Sequence, residues 1–254
     1  MVWISVHGLK KTINDRTLFE DVDLTLEDRD KVALVGTNGT GKSTLLKILA
    51  TQSGQDRGEI LCKKGLKISY LPQNPVFEQE SIWDEIHQYR KDKEDFEVKS
   101  ILTKLGFSDF SLKVETLSGG QKKRLALAIV LLQPCDVLLL DEPTNHLDED
   151  MVEWLENYLQ HLHCALFMVT HDRYFLESVC TKIVEIDQGH FYVYSGNYEA
   201  FLEAKAQRKE REQAQAHKAY QLYKKELAWV RAGVQARSTK QQARLHRFED
   251  LRKE

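Results

Sequence analysis

Hydrophobic and polar residues alternate along the first part of the chain. Apolar side chains take every second position in residues 2–6 and again in residues 22–26, which is typical of half-buried strands. Residues 31–35 form a compact apolar run that leads into a glycine-rich segment and then into a helical pattern at residues 42–50. The beginning of the chain therefore predicts several strands and one helix.

Further along, the pattern switches repeatedly between helix and strand. Residues 60–62 and 67–71 are predicted as short strands, and residues 81–113 have the spacing of helices. Alternating helices and strands then predict a parallel sheet covered on both faces, which is an α/β fold. These elements are a helix at 121–132, a strand at 137–140, a helix at 150–161, a strand at 165–170, a helix at 174–179 and a strand at 182–187.

The end of the chain is predicted as a long polar helix. Residues 198–230 contain no Pro or Gly and are rich in Ala, Gln, Lys, Glu and Arg, which favours a helix about 50 Å long. The preceding Ser-Gly-Asn cluster predicts a boundary between a globular domain, residues 1–197, and a helical extension, residues 198–254. A returning helix is expected from residue 238, and we expect the extension to be truncated.

Charge is distributed unevenly between these two parts. Residues 203–254 contain 14 Lys and Arg against 7 Asp and Glu. The preceding residues contain 22 Lys and Arg against 32 Asp and Glu. An acidic body with a basic extension favours two functions in two places.

Composition points to a cytoplasmic protein. The chain is 42% hydrophobic and 30% charged, and no apolar run approaches the roughly 20 residues that span a bilayer. The first residues lack the pattern of a secretory signal. We therefore expect no membrane partner and reduced core thiols, since the cysteines lie far apart without metal-ligand spacing. They are Cys62, Cys135, Cys164 and Cys180.

The glycine-rich segment has the spacing of a phosphate loop. GTNGTGKST places Gly36, Gly41, Lys42 and Ser43 in the pattern G-x-x-x-x-G-K-S/T. Backbone N–H groups and a helix N-terminus suit phosphates, Lys42 suits the β- and γ-oxygens, and the Ser43 hydroxyl suits Mg²⁺. An ordinary glycine turn is the alternative, and the flanking strand and helix disfavour it.

Two adjacent carboxylates follow the apolar strand at residues 137–140. Asp141 suits Mg²⁺, directly or through water, and Glu142 suits a general base that activates the attacking water. An acidic turn at the end of a strand is common, so the pair alone leaves both interpretations open. Together with the phosphate loop, the pair predicts a hydrolase that uses ATP and Mg²⁺.

Five motifs together resemble the ATP-binding-cassette (ABC) ATPases. They are GTNGTGKST, YLPQ at 70–73, LSGGQ at 117–121, LLLDEPTNHLD at 138–148 and VTHDR at 169–173. LSGGQ is the most specific, and a Ser/Gly loop before a helix is its alternative. The resemblance, over about residues 2–197, implies a P-loop NTPase (RecA-like) fold. That fold has a parallel sheet core, an antiparallel β subdomain and a small helical subdomain, here followed by the long helical extension.

The resemblance also implies how ATP is held. Two cassettes form a head-to-tail sandwich, and each ATP lies between one phosphate loop and the LSGGQ motif of the opposite cassette. Gln73 senses Mg²⁺ and the nucleophilic water, Asp148 communicates between the two sites, and His171 contacts the γ-phosphate. The implied catalytic residues are Glu142, His171 and Gln73, and the implied metal ligands are Ser43, Gln73 and Asp141. The implied nucleotide contacts are Gly36, Thr37, Asn38, Gly39, Thr40, Gly41, Lys42, Ser43, Thr44, Ser118, Gly119, Gly120, Gln121 and Asp148.

The adenine position departs from the family pattern. The family usually places an aromatic ring about two dozen residues before the phosphate loop, and Ile13 occupies the matching position here. Base selectivity is therefore expected to be relaxed or to come from another residue.

Further motifs resemble the ABC-F branch, Uup-type. They are DEPTNHLD, HDRYFL at 171–176, YSGNY at 194–198 and the basic extension, whose residues 228–248 are similar to that branch's linker tip. The resemblance implies two cassettes joined by a helical hairpin, no transmembrane domain and action on the ribosome. The second cassette is expected as the C-terminal half of a longer protein or as another copy of this chain.

The cations near the end of the predicted helix suit a nucleic-acid backbone. A solvated coiled-coil face is the alternative, and the linker resemblance favours RNA, with DNA as a further alternative. The candidate nucleic-acid contacts are Arg231, Arg237, Lys240, Arg244 and Arg247.

Two other functions are compatible with the motifs: the ATPase subunit of an ABC transporter, and a DNA-maintenance ATPase.

Overall fold

The computed structural model describes residues 1–51, 53–89 and 93–231. Strands in this part of the chain form two sheets. Some strands alternate between buried and exposed positions, whereas residues 31–34, 137–141 and 165–169 are continuous buried runs. The strands are β1 (Val2–Ile13), β2 (Arg16–Glu27), β3 (Lys31–Gly36), β4 (Arg57–Cys62), β5 (Ile68–Leu71), β6 (Val137–Asp141), β7 (Ala165–Val169), β8 (Lys182–Asp187) and β9 (His190–Ser195).

Several helices begin at a side chain that caps them. Ser118, Asp148 and Asp172 each accept a hydrogen bond from a backbone N–H in the first turn of the helix that follows. These caps fix where the helices start, because the first N–H groups of a helix have no partner within it. The helices are α1 (Lys42–Thr51), α2 (Ile82–His87), α3 (Asp95–Lys104), α4 (Gly119–Leu132), α5 (Glu149–His161), α6 (Arg173–Val179) and α7 (Tyr198–Arg231), with a 3-10 turn at Val114–Thr116.

The larger sheet has six strands in the order β5-β6-β7-β3-β8-β9. Its first five strands are parallel, which confirms the predicted parallel core. The edge strand β9 was not predicted. It pairs antiparallel with β8 through a tight turn in which Gln188 and Gly189 have φ values of 52° and 83°.

The smaller sheet is antiparallel, in the order β2-β1-β4, and confirms the expected antiparallel β subdomain. Gly58 sits where β4 meets β1. Its φ is +93°, and a Cβ at this position would lie 2.5 Å from the carbonyl oxygen of Gly8. The two strands therefore approach closely at a point where only glycine fits.

Each face of the larger sheet belongs to a different apolar core. Along β6, Leu138 and Leu140 pack among the helices, while Val137 and Leu139 pack with α1 and the smaller sheet. This division follows from the two-residue period of a strand, whose successive side chains point to opposite faces. All five residues of β6 are buried, so the strand holds Asp141 firmly at its carboxyl end.

The helical prediction for residues 81–113 is only partly correct. α2 and α3 are helical, but α3 ends before Gly106, which has a φ of +80°. Beyond it, the Asp109 carboxylate accepts hydrogen bonds from the backbone N–H and the hydroxyl of Ser111 and forms a local turn. Side chains of this type compete with helix formation, which explains the difference.

Helix α7 confirms the predicted long helix. It has 34 residues, Tyr198–Arg231, and so extends about 51 Å at 1.5 Å per residue. The chain divides into two compact units after Phe201, inside the first turn of α7. The expected returning helix lies outside the described residues. Among the helices that are described, there is no segment with the length and apolar character of a membrane span.

Candidate functional site

The phosphate loop connects β3 to α1 and is folded around one lysine. The Lys42 side chain is buried, and its Nζ donates hydrogen bonds to the carbonyl oxygens of Gly36 and Thr37, at 2.9 and 3.0 Å. Gly41 has a φ of +95°, and a Cβ there would lie 3.1 Å from the side chain of Leu18. The loop is thus already closed around a cation, as phosphate binding requires. Burial lowers the pKa of Lys42, and the carboxylates of Glu142 and Asp141 partly oppose this change.

The carboxyl end of β6 brings Asp141 to the first turn of α1. The Ser43 hydroxyl donates to Asp141 Oδ1 at 3.1 Å. Asp141 Oδ2 is buried, and within the part of the chain that the structure describes it has no hydrogen-bond partner. Burial raises the pKa of Asp141, and the hydrogen bond from Ser43 partly opposes this. A free carboxylate oxygen beside a hydroxyl fits Mg²⁺, which prefers hard oxygen ligands and takes the rest from water and phosphate.

Glu142 directly follows β6 and faces His171. Glu142 Oε1 lies 3.4 Å from His171 Nε2, and the Glu142 side chain is 13% exposed. The backbone of Glu142 has a φ of +52°, which is unusual outside glycine and is held by a hydrogen bond from its N–H to the carbonyl oxygen of Val169, at 2.8 Å. Such strained residues concentrate at functional sites. Burial raises the pKa of Glu142, and His171 partly lowers it.

One cavity of about 780 Å³ brings many of the predicted residues together. Its walls come from the phosphate loop, from Gln73, which lies two residues after β5, and from the carboxyl ends of β6 and β7. Those predicted site residues that line it are Asn38, Gly39, Gly41, Lys42, Ser43, Thr44, Gln73, Glu142 and His171.

Three other loop residues face elsewhere. Thr37 and Thr40 line a neighbouring cavity of about 730 Å³, together with Gly39. The Thr40 hydroxyl donates to the carbonyl oxygen of Thr37 at 2.9 Å and so tightens the loop from within. A Cβ on Gly36 would lie 2.7 Å from the carbonyl oxygen of Ile186, so this glycine lets the loop leave the sheet next to β8.

The cavity mouth contains residues that the sequence did not single out. Asn14, Arg16, Leu18 and Asn145 line it beside the predicted Ile13, and no aromatic ring is among the described residues that do so. The missed signal is the turn between β1 and β2, where Asn14 and Asp15 have φ values of 47° and 61°. That turn places both strand ends at the cavity.

The LSGGQ motif lies outside this cavity. Ser118 caps α4 in a reciprocal capping box: its hydroxyl accepts the N–H of Gln121, and the Gln121 side chain accepts the N–H of Ser118. Ser118 and Gly119 are exposed, and a Cβ on Gly119 would meet nothing within 4 Å. The structure therefore does not bring Ser118, Gly119, Gly120 or Gln121 to the phosphate loop of the same chain.

Asp148 has a local structural partner as well as an exposed position. Its carboxylate accepts the N–H of Met151 at 2.9 Å and caps α5. It lines a surface cavity of about 740 Å³ that it shares with Glu142 and His171. Asp148 is thus close to the catalytic candidates without lining the phosphate cavity.

The candidate nucleic-acid contacts are almost entirely outside the described part of the chain. Arg231 is the last residue of α7. Arg237, Lys240, Arg244 and Arg247 lie beyond it and outside the described residues.

Comparisons with known proteins show what this chain is similar to. A family model described as ABC transporter matches residues 19–145, and a second with the same description matches residues 184–254. The chain is 39% identical to the "Uncharacterized ABC transporter ATP-binding protein YfmR" of Bacillus subtilis (strain 168), over 99% of this chain and 47% of that protein. It is 35% identical to the "Energy-dependent translational throttle protein EttA" of Escherichia coli (strain K12), over 97% of this chain and 52% of that protein. It is also 35% identical to the "ATP-binding protein Uup" of Buchnera aphidicola subsp. Schizaphis graminum, over 100% of this chain and 44% of that protein.

The chain spans about half the length of these relatives. A solved structure described as the ATP binding subunit of an ABC transporter matches 76% of this chain and 90% of its own, with a TM-score of 0.67 and 20% identity. At that identity the likeness shows the fold alone, and the fold is that of a P-loop NTPase with a mixed sheet. The first family model covers half of the chain. That half contains the phosphate loop, LSGGQ and the adjacent carboxylates of Asp141 and Glu142. The chain therefore belongs to the ABC transporter family, as an ATPase domain.

Proposed function

We propose that the chain is an ABC-F-type cassette that hydrolyses ATP and acts as a nucleotide-driven switch on the ribosome, in the cytoplasm. The observation that carries the hydrolytic part is the arrangement after β6. Ser43 and Asp141 are hydrogen-bonded there, and Glu142 faces His171 beside the same cavity. Lys42, Ser43, Glu142 and His171 line that cavity, and Asp141 adjoins it through its hydrogen bond with Ser43, so a cation site, a base and a phosphate cradle lie side by side.

Each of these residues has a chemical part in hydrolysis. Lys42 binds the β- and γ-phosphates, and Ser43 and Asp141 hold Mg²⁺, which neutralises charge on the phosphates. Glu142 accepts the proton of the attacking water, and the raised pKa that burial gives it brings it nearer to the operating pH of a general base. Gln73 orients the water, and His171 donates to the γ-phosphate.

A second cassette is needed to complete the site. In this chain Ser118 and Gly119 are exposed and do not line the cavity at their own phosphate loop, so we expect the ligand of this motif to come from outside the chain. The motif opens α4, whose first N–H groups and positive dipole end favour an anion. The Ser118 hydroxyl already accepts one hydrogen bond and keeps its own proton to donate. We propose that these groups bind the γ-phosphate of ATP held by another cassette.

The ribosome assignment is supported by the relatives and by the extension. One relative is named as a translational throttle protein and another as Uup, and both match nearly the whole chain. The second family model covers residues 184–254, which include α7 and the predicted basic tip. A strut of this length that carries cations at its end suits contact with RNA phosphates.

The ATPase subunit of a transporter is the second candidate. The name of YfmR favours it. A subunit of this kind needs a membrane-spanning partner, and its purification from membranes together with such a partner would favour this candidate over the ribosome.

The ribosome proposal is tested by sedimentation. Glu142→Gln is expected to keep ATP bound and to remain closed, so this variant should sediment with ribosomes in ATP and Mg²⁺ and stay in the supernatant in ADP. Lys42→Ala, in which the loss of the lysine weakens nucleotide binding, is the matched control and should not sediment in either nucleotide at a concentration that just saturates Glu142→Gln. Equal sedimentation in ATP, ADP and no nucleotide contradicts a nucleotide-driven switch, and no sedimentation in any state contradicts the ribosome.

The candidate nucleic-acid contacts are tested by the salt dependence of nucleic-acid binding. Affinity for ribosomal RNA, tRNA and duplex DNA is measured as a function of salt for the wild type and for a variant with glutamine at Arg237, Lys240, Arg244 and Arg247. If these residues contact phosphates, the slope of log affinity against log salt should decrease by about 1 for each contact removed. An unchanged slope assigns the cations to a solvated helix face, and a preference for duplex DNA favours the DNA-maintenance alternative.

A further inference from the structure

Two thiols lie side by side where the inner strands β6 and β7 of the larger sheet begin. The phosphate loop is at the opposite ends of the parallel strands. Cys135 is in the short loop between α4 and β6, and Cys164 is in the loop between α5 and β7. Their Sγ atoms are 3.7 Å apart, with the Cys135 thiol donating to Cys164. All four cysteines are free, as the sequence predicted, but their separation along the chain gave no sign of this pair.

A buried lysine and a carboxylate act on this pair in opposite directions: Lys31 lowers the pKa of both thiols, and Asp136 raises it. The Nζ of Lys31 donates to the carbonyl oxygen of Leu162 at 2.6 Å and to that of Cys164 at 3.4 Å. The hydrogen bond from Cys135 lowers the pKa of Cys164, and the Lys31 ammonium lowers it further, while burial opposes both. The same hydrogen bond, together with burial, raises the pKa of Cys135. The pair is therefore asymmetric, with Cys164 as the better thiolate.

Both cysteines border the same cavity, although Cys164 is buried, with 7% of its surface exposed, and Cys135 is half-buried. Cys135 and Cys164 line one cavity of about 540 Å³, whose walls include Tyr158, His161 and His163. Cys180 is buried to a similar degree, 5% exposed, but it does not line this cavity, and burial raises the pKa of its thiol to about 12. Access and thiolate character together decide which thiols react.

We propose that Cys135 and Cys164 form a modification site that a hydroperoxide converts into a reversible disulfide. The Cys164 thiolate attacks one peroxide oxygen, the O–O bond breaks, and with hydrogen peroxide the products are a sulfenic acid on Cys164 and hydroxide, which takes up a proton. The Cys135 sulfur then attacks the sulfenic sulfur, the S–O bond breaks, and a second water leaves with the Cys135 proton. Two thiols are oxidised and one peroxide is reduced to two waters.

The geometry allows this bond with a small movement. A disulfide needs its sulfur atoms about 2.05 Å apart, so the two must approach by less than 2 Å from their present 3.7 Å. Both cysteines lie in loops, where the backbone adjusts more readily than in a strand or helix. The bond would join the starts of the adjacent strands β6 and β7.

The disulfide is expected to stabilise the fold without disturbing nucleotide binding. It closes a loop from residue 135 to residue 164, and loops of this size restrict the unfolded chain enough to raise Tm by several degrees. The phosphate site is at the other end of β6, about 13 Å away for a strand of this length. Oxidation should therefore leave the affinity for ATP unchanged.

The test maps thiols before and after treatment with hydrogen peroxide. The purified chain is oxidised, its remaining thiols are alkylated, and its peptides are identified by mass spectrometry. The expected result is one linked pair of peptides containing Cys135 and Cys164, lighter by two hydrogen atoms than the separate peptides, and restored to thiols by dithiothreitol. Cys62→Ser, at a half-buried thiol outside the cavity, is the matched control and should form the same bond.

Two further outcomes decide the order of the steps. In Cys135→Ser, the resolving thiol is absent, so the sulfenic acid on Cys164 should persist and be labelled by dimedone. The proposal is overturned if both thiols of the wild type stay available for alkylation, or if they oxidise to sulfonic acids without linking. The mapping of the wild type decides this even if a variant fails to fold.

Discussion

Replacing Lys42 with alanine tests the phosphate loop most sharply. The Lys42 ammonium is buried, and within the part of the chain that the structure describes its hydrogen bonds go to two carbonyl oxygens of the loop, those of Gly36 and Thr37. A bound phosphate would replace these carbonyls as its partner. A hydrogen bond to a charged group contributes about 1.5–3 kcal/mol, so losing one such bond should weaken ATP binding by about 10- to 150-fold.

The matched control lies on the same helix. Lys47 is exposed, five residues along α1, and does not line the cavity. Lys47→Ala should therefore bind ATP like the wild type, although it removes the same charge from the chain. Affinity for ATP with Mg²⁺ is measured by calorimetric titration, and circular dichroism checks that each variant is folded. If folded Lys42→Ala binds ATP as tightly as Lys47→Ala does, the phosphate-loop assignment is wrong.

Three further predictions concern catalysis, pH dependence and backbone fit. Glu142→Gln should slow ATP hydrolysis by at least about a hundredfold, the usual contribution of a general base, whereas the exposed Glu59→Gln should not; equal phosphate release by both variants would remove Glu142 from that role. Burial raises the pKa of Glu142 above 4.5, so the native state holds this proton more tightly than the unfolded state and the charged carboxylate lowers stability at neutral pH. Glu142→Gln should accordingly melt at a higher temperature than the wild type near neutral pH, and the difference should disappear below the unfolded pKa; a lower Tm at neutral pH would contradict the burial argument. Gly58→Ala should destabilise the fold by about 1–3 kcal/mol in urea unfolding, because its Cβ would lie 2.5 Å from a carbonyl oxygen, while Gly119→Ala, with open space around it, should not; equal midpoints would refute the close approach.

The core of the fold was predictable because its strands and loops carry strong local signals. The first four residues of β6 are apolar, and two carboxylates, Asp141 and Glu142, come directly after them, so the place of this strand beside the phosphate loop followed from the order of motifs. Strand β9 was missed because its residues are only partly buried or exposed, and the alternation is weak. The helical pattern over residues 81–113 failed after Gly106, where local side-chain hydrogen bonds replace the helix.

The site was predictable only where a motif defines it. Lys42, Ser43 and Glu142 follow from their motifs, and the structure brings them to one cavity. Arg16 at the cavity mouth depends on the shape of a turn, and the pairing of Cys135 with Cys164 depends on two loops meeting where β6 and β7 begin. Contacts of this kind arise from tertiary packing, which spacing along the chain does not encode.

Mixing two inactive variants tests the proposed sharing of ATP between cassettes most directly. Lys42→Ala disables the phosphate loop and leaves LSGGQ intact, whereas Gly119→Arg places a large side chain in LSGGQ at a position where a Cβ meets nothing within 4 Å. At a concentration at which the wild type hydrolyses ATP, neither variant should be active alone. An equal mixture should recover about a quarter of the wild-type rate, since half of the pairs then contain one complete site of two. A mixture no more active than the variants alone would contradict the shared site.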